Sequence, residues 1–221
     1  MITHVDILTL RERIPEEEFD YQAIMHALRE YAHPRNRITA LLRDGSLLRV
    51  KKGMYVFGER LRRRAVSREL LSNLLYGPSY VSREYALRFH GLIPEQVHAV
   101  TAMTTGRSRS FNTPLGLFDY SSLPLRAYVA GVELASVNER NFFMASAEKA
   151  LADMTYMQRG LVLRSRADVE HFLYDSLRID PDNLLQLRAS ILRDISESAT
   201  TQRVRFLSDM VLRILGEAAH A

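Results

Sequence analysis

The side chains best equipped for chemistry lie together between His33 and Phe57, in the run HPRNRITALLRDGSLLRVKKGMYVF. Arg35, Asn36, Arg37, Thr39 and Arg43 all carry groups that can hydrogen-bond a base edge. A guanidinium such as that of Arg37 or Arg43 fits guanine bidentately, and the Asn36 amide fits adenine. Each good pair is worth about 1–3 kcal/mol of base discrimination. Arg49, Lys51 and Lys52 instead offer charges suited to phosphate oxygens, which position a protein on a duplex without reading it and make binding depend on salt. Arg60, Arg62, Arg63 and Arg64 follow as a basic linker that either reaches a neighbouring groove or stays solvated. Tyr55 reads as a packed strand aromatic.

These residues need a helix and a hairpin to position them. Ile38, Leu41 and Leu42 recur at helical spacing, which buries one stripe and turns Asn36, Thr39, Ala40 and Arg43 to the other side. Gly45 suits the end of that helix, Leu47 to Val50 and Met54 to Phe57 suit strands, and Lys51-Lys52-Gly53 makes a cationic turn between them. Upstream, Val5 to Ile14 reads as a first helix ending before Pro15. Phe19-Asp20 opens a second, with Asp20 as its N-cap and Tyr21, Ile24, Leu28 and Tyr31 on its apolar face, until His33-Pro34 breaks it. Pro34 then fits the first turn of the third helix. The expectation is a helix-turn-helix followed by a basic wing.

Charge is concentrated in the same place. The net charge is only +4, yet residues 33–68 hold eleven Lys or Arg against two acids, a local +9. A run of this kind is ordinarily a solvated face, but its placement on a helix and hairpin favours phosphate binding. Without cysteine there is no disulfide framework and no thiolate metal site, and a start lacking an apolar run predicts neither signal peptide nor membrane anchor. A cytoplasmic location is the resulting expectation. At 221 residues the chain accommodates two modest domains, divided here as 1–66 and 67–221.

After the linker, Arg68 to Leu75 reads as a helix, Tyr80 to Ser82 as a strand, and Arg83 to Phe89 as a helix capped by Ser82 and stopped by His90-Gly91. Val97 to Thr104, Arg107 to Asn112, Leu115 to Tyr120 and Phe142 to Ala145 read as strands of a small mixed or antiparallel sheet. Ser146 caps a helix to about Met157 with Ala147, Ala150, Leu151 and Met154 buried. The last third, about 165–221, is helical. It has a Ser165/Asp168 capping box and an Asp180-Pro181 start leading through Leu184, Leu187, Ile191 and Ile195. A final stripe follows, of Val204, Leu207, Val211, Ile214 and Leu215. These helices either pack on the sheet domain or form a dimer surface. The fold class is therefore α+β: an N-terminal winged helix-turn-helix, a mixed α/β domain with a small sheet, and a helical C-terminal region.

Enzyme signals are weak. Ser146-Ala147-Glu148-Lys149 satisfies the Ser-x-x-Lys pattern of acyl-transfer enzymes, but neither Ser-Asp-Asn nor Lys-Thr-Gly accompanies it. Gly45-Ser46 is not followed by an Asp-x-Asp strand that would hold magnesium, the histidines lack ligand spacing, and no Gly-rich phosphate loop occurs. No metal, no cofactor and no catalysis are expected, and Glu148 and Asp153 are expected to bind arginines within the domain.

The run SYVSREYALRFHGLIPEQVHAVTAMTTGRSRSFNTPLGLFDY with the later FFMASAEKALADM resembles the AbiEi antitoxin family, the regulatory partner in type IV toxin–antitoxin pairs. The resemblance rests on Tyr80-Val81-Ser82, Ala86-Leu87, His90-Gly91-Leu92-Ile93-Pro94, Val100-Thr101, Thr113 with Leu115-Gly116, and Ala145 to Asp153. Leu47-Leu48-Arg49 and Lys52-Gly53-Met54-Tyr55 match the wing that precedes the domain. It implies a transcriptional repressor of its own operon, bound to promoter DNA with inverted repeats. The second domain would counter a nucleotidyltransferase-like toxin without forming a stable complex. Within the matching runs, Ser82, His90, Gly91, Arg107, Arg109, Ser146, Glu148, Lys149 and Asp153 carry polar groups or turns to which the resemblance assigns no role. A module that binds RNA and shields the toxin's target, and a winged-helix regulator unrelated to any toxin, are the alternatives. The two roles are expected to separate on a cut near residue 69.

Overall fold

The computed structural model describes residues 4–220. Helix α1 (His4–Arg13) leads into strand β1 (Glu18–Asp20), helices α2 (Tyr21–Ala27) and α3 (Pro34–Arg43), and strands β2 (Leu47–Lys51) and β3 (Met54–Phe57). The sequence shows no sign of β1, which pairs antiparallel with β3 and completes a three-stranded sheet in the order β1-β3-β2. Asp20 does cap α2, its Oδ1 accepting from Ala23 N at 2.8 Å. The helix stops four residues short of Tyr31. Arg29 and Tyr31 donate only three residues back, to His26 and Leu28, and the proline at 34 disfavours helical geometry at His33.

The β1-β3-β2 sheet packs on both faces, its central strand β3 buried throughout and only Asp20 and Arg49 of its edge strands exposed. Tyr55 and Phe57 turn toward α2 and α3 and pack with Phe19, Ile24, Ile38, Leu41 and Leu47, the Phe19 and Phe57 rings 4.8 Å apart. Val50, Met54 and Val56 turn the other way and join the core of the rest of the chain. The alternation of strand side chains thus makes one short sheet serve two cores.

That larger core is built on a six-stranded sheet in the order β6-β7-β5-β4-β9-β8. Its strands are β4 (Ser79–Val81), β5 (Val100–Thr104), β6 (Arg109–Thr113), β7 (Gly116–Ser122), β8 (Val132–Val137) and β9 (Arg140–Ala145). Pairing is mixed, with β4/β9 and β5/β7 parallel and the rest antiparallel. Strand β8 was not legible in sequence. Its hairpin turns on Asn138 and Glu139, both at positive φ, without the glycine that usually marks such a turn. Helices α4 (Arg68–Leu75), α5 (Arg83–Phe89) and α7 (Ala147–Met157) pack on the sheet, and the short α6 (Leu125–Tyr128) precedes β8.

The C-terminal helices α8 (Arg166–Glu170), α9 (Pro181–Leu184), α10 (Ala189–Ser198) and α11 (Gln202–Ala218) follow, and α10 and α11 pack on α7 and on each other. Leu192, Ile195, Val204, Leu207, Val211 and Ile214 are buried there, so the apolar stripes serve as core. The single helix expected from Asp180 through Ile195 is instead broken between α9 and α10. Arg188 is extended, and its N–H leaves the helical ladder to donate to Glu148 Oε1 at 2.6 Å. Among the described residues no helix is long and apolar enough to cross a membrane.

Of two adjacent acids, Glu17 ties α1 and the linker together within the N-terminal unit, and Glu18 fastens that unit to the remainder. Glu17 Oε1 accepts from Arg11 and from Arg63 N (3.1 Å), and Glu18 Oε1 accepts from Ser67 N at 2.7 Å while its other oxygen pairs with Arg140 of β9. Both carboxylates are buried, as are the Arg11 and Arg140 guanidiniums. Removing one partner of a buried pair strands the other charge. Arg140→Met is therefore expected to lower the unfolding free energy by about 3–5 kcal/mol, and pairing it with Glu18→Leu to restore most of that loss in urea titrations.

Candidate nucleic-acid interface

The exposed face of α3 carries Arg35, Asn36, Thr39 and Arg43, opposite buried Ile38 and Leu41. Thr39 Oγ1 donates back to Arg35 O at 3.1 Å, an intrahelical bond that its hydroxyl would exchange for a base edge. Arg37 sits apart from this set. It is half-buried and its guanidinium lies 5.0 Å from the centroid of the Tyr31 ring, so it packs the turn before α3 and is the weakest of the base-reading candidates.

The end of α3 is locked to the end of the hairpin. Gly45, at φ +77°, ends the helix, and Ser46 N donates to Asp44 Oδ1 at 2.9 Å. Gly58 N then donates to Ser46 O at 2.8 Å, and a Cβ on Gly58 would lie 1.9 Å from Gly45 O. Only glycine lets the two backbone segments cross that closely, which fixes the angle between α3 and the β2–β3 hairpin.

The hairpin divides its cations. Arg49 and Lys52 are exposed. Lys51, expected to touch phosphate, turns inward: its Nζ donates to Leu75 O at the end of α4 and lies 5.7 Å from the Phe111 ring. Burial, with the nearby Arg109 charge second, lowers its pKa. The register slip between Arg49 and Lys51 turns the lysine to that side. Lys51 is thus an anchor between the hairpin and the second unit, a correction to its sequence-based role.

Other basic residues extend the exposed surface. Arg109 lies 5.7 Å from the Tyr76 ring and 5.9 Å from that of Phe111, beside the β2–β3 hairpin, and Arg107 is exposed just before it. In the linker Arg60, Arg63 and Arg64 are exposed, whereas Arg62 is half-buried and donates from Nε to Phe57 O at 2.8 Å. Arg62 therefore closes the linker onto the sheet. Sequence reasoning missed Tyr31 as the support of Arg37, although its place three residues before Pro34 put it beside the helix start.

The remaining motif residues form a second, interior group. Asp153 accepts from Tyr80 OH (2.9 Å), Ser82 Oγ (2.7 Å) and Lys149 Nζ (2.8 Å), and that ammonium also donates to Ala127 O at 2.5 Å. Burial and then the Asp153 charge push the Tyr80 hydroxyl well above its ordinary pKa. The expectation that Asp153 binds an arginine is replaced by this Lys-Tyr-Ser shell, and Ser82 serves Asp153 without bonding the first turn of α5 through its side chain. Ser146 caps α7 by accepting from Lys149 N at 3.2 Å. Ser146 and Lys149 thus act as a helix cap and a buried ion-pair partner, which accounts for the Ser-x-x-Lys spacing. Glu148 does bind an arginine, accepting from Arg188 N, Nε and Nη2. His90 Nε2 donates to Ala145 O at 2.8 Å and Gly91, at φ +73°, turns the chain out of α5.

No protein-family model matches this chain, and neither does any curated protein.

Burial alone would raise the Glu148 carboxyl, but the Arg188 side-chain and backbone donors together hold it below its ordinary value. A carboxylate whose folded pKa lies below the unfolded one stabilises the fold above about pH 4.3, and that contribution disappears as pH falls through the folded value. Acid titrations of stability are expected to lose the larger part of this component in Arg188→Met, whose Glu148 retains the burial and the backbone N–H of residue 188 but not the guanidinium donors. An unchanged acid limb would count against the assignment.

Proposed function

We propose that this chain is a DNA-binding transcriptional regulator, with α1 to β3 as a winged helix-turn-helix and α3 as the recognition helix. The observation that carries the reading is the exposed face of α3, whose Arg35, Asn36, Thr39 and Arg43 are all base-edge donors or acceptors, held at a glycine-fixed angle to a cationic hairpin. The element order helix, strand, helix, helix, hairpin and the β1-β3-β2 sheet support it. Arg49, Lys52, Arg63 and Arg64 hold phosphates, and Arg107 and Arg109 continue that surface beside the wing tip.

The resemblance to the AbiEi family extends the proposal: the DNA is the promoter of the protein's own operon, the chain acts as repressor and antitoxin, and it opposes a nucleotidyltransferase-like toxin without a stable complex. The motif residues of the second unit support a non-enzymatic role, because Ser82, Ser146, Glu148, Lys149 and Asp153 spend their polar groups on one another and on neighbouring backbone. Catalysis needs a group left available to substrate.

Promoter binding tests the assignment residue by residue. Asn36→Ala and Arg43→Ala are expected to weaken specific binding by about 1–3 kcal/mol each and to relax discrimination at single positions. Arg49→Ala and Lys52→Ala are expected to weaken binding to all sequences and to reduce the salt slope by about 1 each, whereas Lys51→Met leaves that slope unchanged. Equal competition by structured RNA and duplex DNA would replace the DNA reading with the RNA one, and binding unaffected by all four alanine variants would remove α3 and the hairpin from the interface.

A further inference from the structure

We propose that strand β8 is the surface through which two copies of this chain pair. β8 ends the six-stranded sheet, with β9 on one side and, among the described residues, no strand on the other. The side chain of Asn73 fixes which of its backbone groups face outward. Asn73 Oδ1 accepts from Phe143 N at 2.6 Å and its Nδ2 donates to Phe143 O at 3.3 Å, so Phe143 turns both backbone groups away from β8. Leu134, directly opposite Phe143, therefore belongs to a non-hydrogen-bonded pair and directs its own N–H and C=O to the open edge, as does Ser136 two residues on.

Edges of this kind are ordinarily blunted by lysine, proline, a bulge or a covering element. The sequence of β8, Val-Glu-Leu-Ala-Ser-Val, contains neither lysine nor proline, and its register with β9 is unbroken. Its one charge, Glu133, is paired with Arg188 at 2.7 Å. Beside it, Leu134 (65% exposed), Phe143 (54%), Val129 (70%) and Leu74 (44%) border a groove of about 620 Å³. The surface thus asks for an extended strand, neutral in charge and apolar on one side.

β8 itself meets that description, and antiparallel pairing lets a strand satisfy its own copy. With a two-fold axis perpendicular to the sheet and Leu134 opposite Leu134, the outward N–H and C=O of each Leu134 meet those of the other, and Ser136 N faces Val132 O, the Val132 N–H being already bonded to Val129 O. Glu133 then lies across from Ala135, so no acid opposes its own copy. The axis keeps α4 of both copies on one side, where Leu74 and Phe143 of each close over the paired leucines. A charged foreign peptide would find no counterion on this edge.

The inference goes beyond the DNA-binding reading and is tested without nucleic acid. Sedimentation of the full chain is expected to give twice the protomer mass. Leu134→Lys and Ser136→Pro are each expected to give the protomer mass with unchanged circular dichroism and a melting temperature that no longer rises with protein concentration, since both positions are exposed and the proline removes only an outward N–H. The chain has no cysteine, so Leu134→Cys introduces a single thiol at the centre of the proposed seam, and oxidation is expected to cross-link it. Val162→Cys, equally exposed but outside β8, is expected to remain a protomer under the same oxidation. A wild-type chain of protomer mass, a dimer that survives both strand variants, or equal cross-linking at Val162 would overturn the proposal.

Discussion

The structure depends on a three-stranded sheet that packs against a core on each face. A sheet of this size usually has one wet side, and packing both leaves its central strand no place for polar alternates. β3 meets that constraint by being apolar throughout, Met-Tyr-Val-Phe, with Tyr55 and Phe57 given to one core and Met54 and Val56 to the other. The neighbouring acids at 17 and 18 meet it differently. Each is taken out of water and given a guanidinium and a backbone N–H from a different part of the chain, Arg11 and Arg63 for one, Arg140 and Ser67 for the other. Burial of an unpaired carboxylate would be prohibitive, so these four partners are conditions for the sheet to form where it does.

From this sheet the geometry of α3 follows. Its end is tied to Gly58 by backbone contact, its buried stripe rests on the same core as Tyr55 and Phe57, and the hairpin tip is held by Lys51 against α4. A helix so fixed presents its polar face with little freedom to tilt, which is what base reading at a precision of tenths of an ångström requires.

Much of this arrangement was legible in the sequence, for identifiable reasons. The α3 stripe, the Lys-Lys-Gly turn, the Ser146 cap and the Ser165/Asp168 capping box are local patterns, each completed within a few residues. Several of the misreadings share a different cause, since each of these depends on a partner far along the chain. β1 is three residues long and exists because β3 arrives beside it. The break at Arg188 is made by Glu148, forty positions away, and Lys51 is drawn inward by a carbonyl at the end of α4. Asp153 was expected to meet an arginine because carboxylates commonly do, and it received a lysine, a tyrosine and a serine brought by α7, β4 and the start of α5. Periodicity does not encode such partners.

The shared core also bears on how far the two halves can act alone. The end of the basic run at residue 68 suggests a place to cut, and the chain does pass between units near there, at the Ser67 cap of α4. Yet a fragment beginning at 67 would lose Val50, Met54 and Val56 from its core, the Lys51 donor from Leu75, and the Glu18 carboxylate from buried Arg140. The first loss exposes apolar surface and the last strands a charge, so truncation changes the second unit as well as removing the first. Point substitutions on the exposed face of α3, which touch neither core, would separate the proposed nucleic-acid binding from the rest of the protein more cleanly than a boundary drawn through the contact that holds the units together.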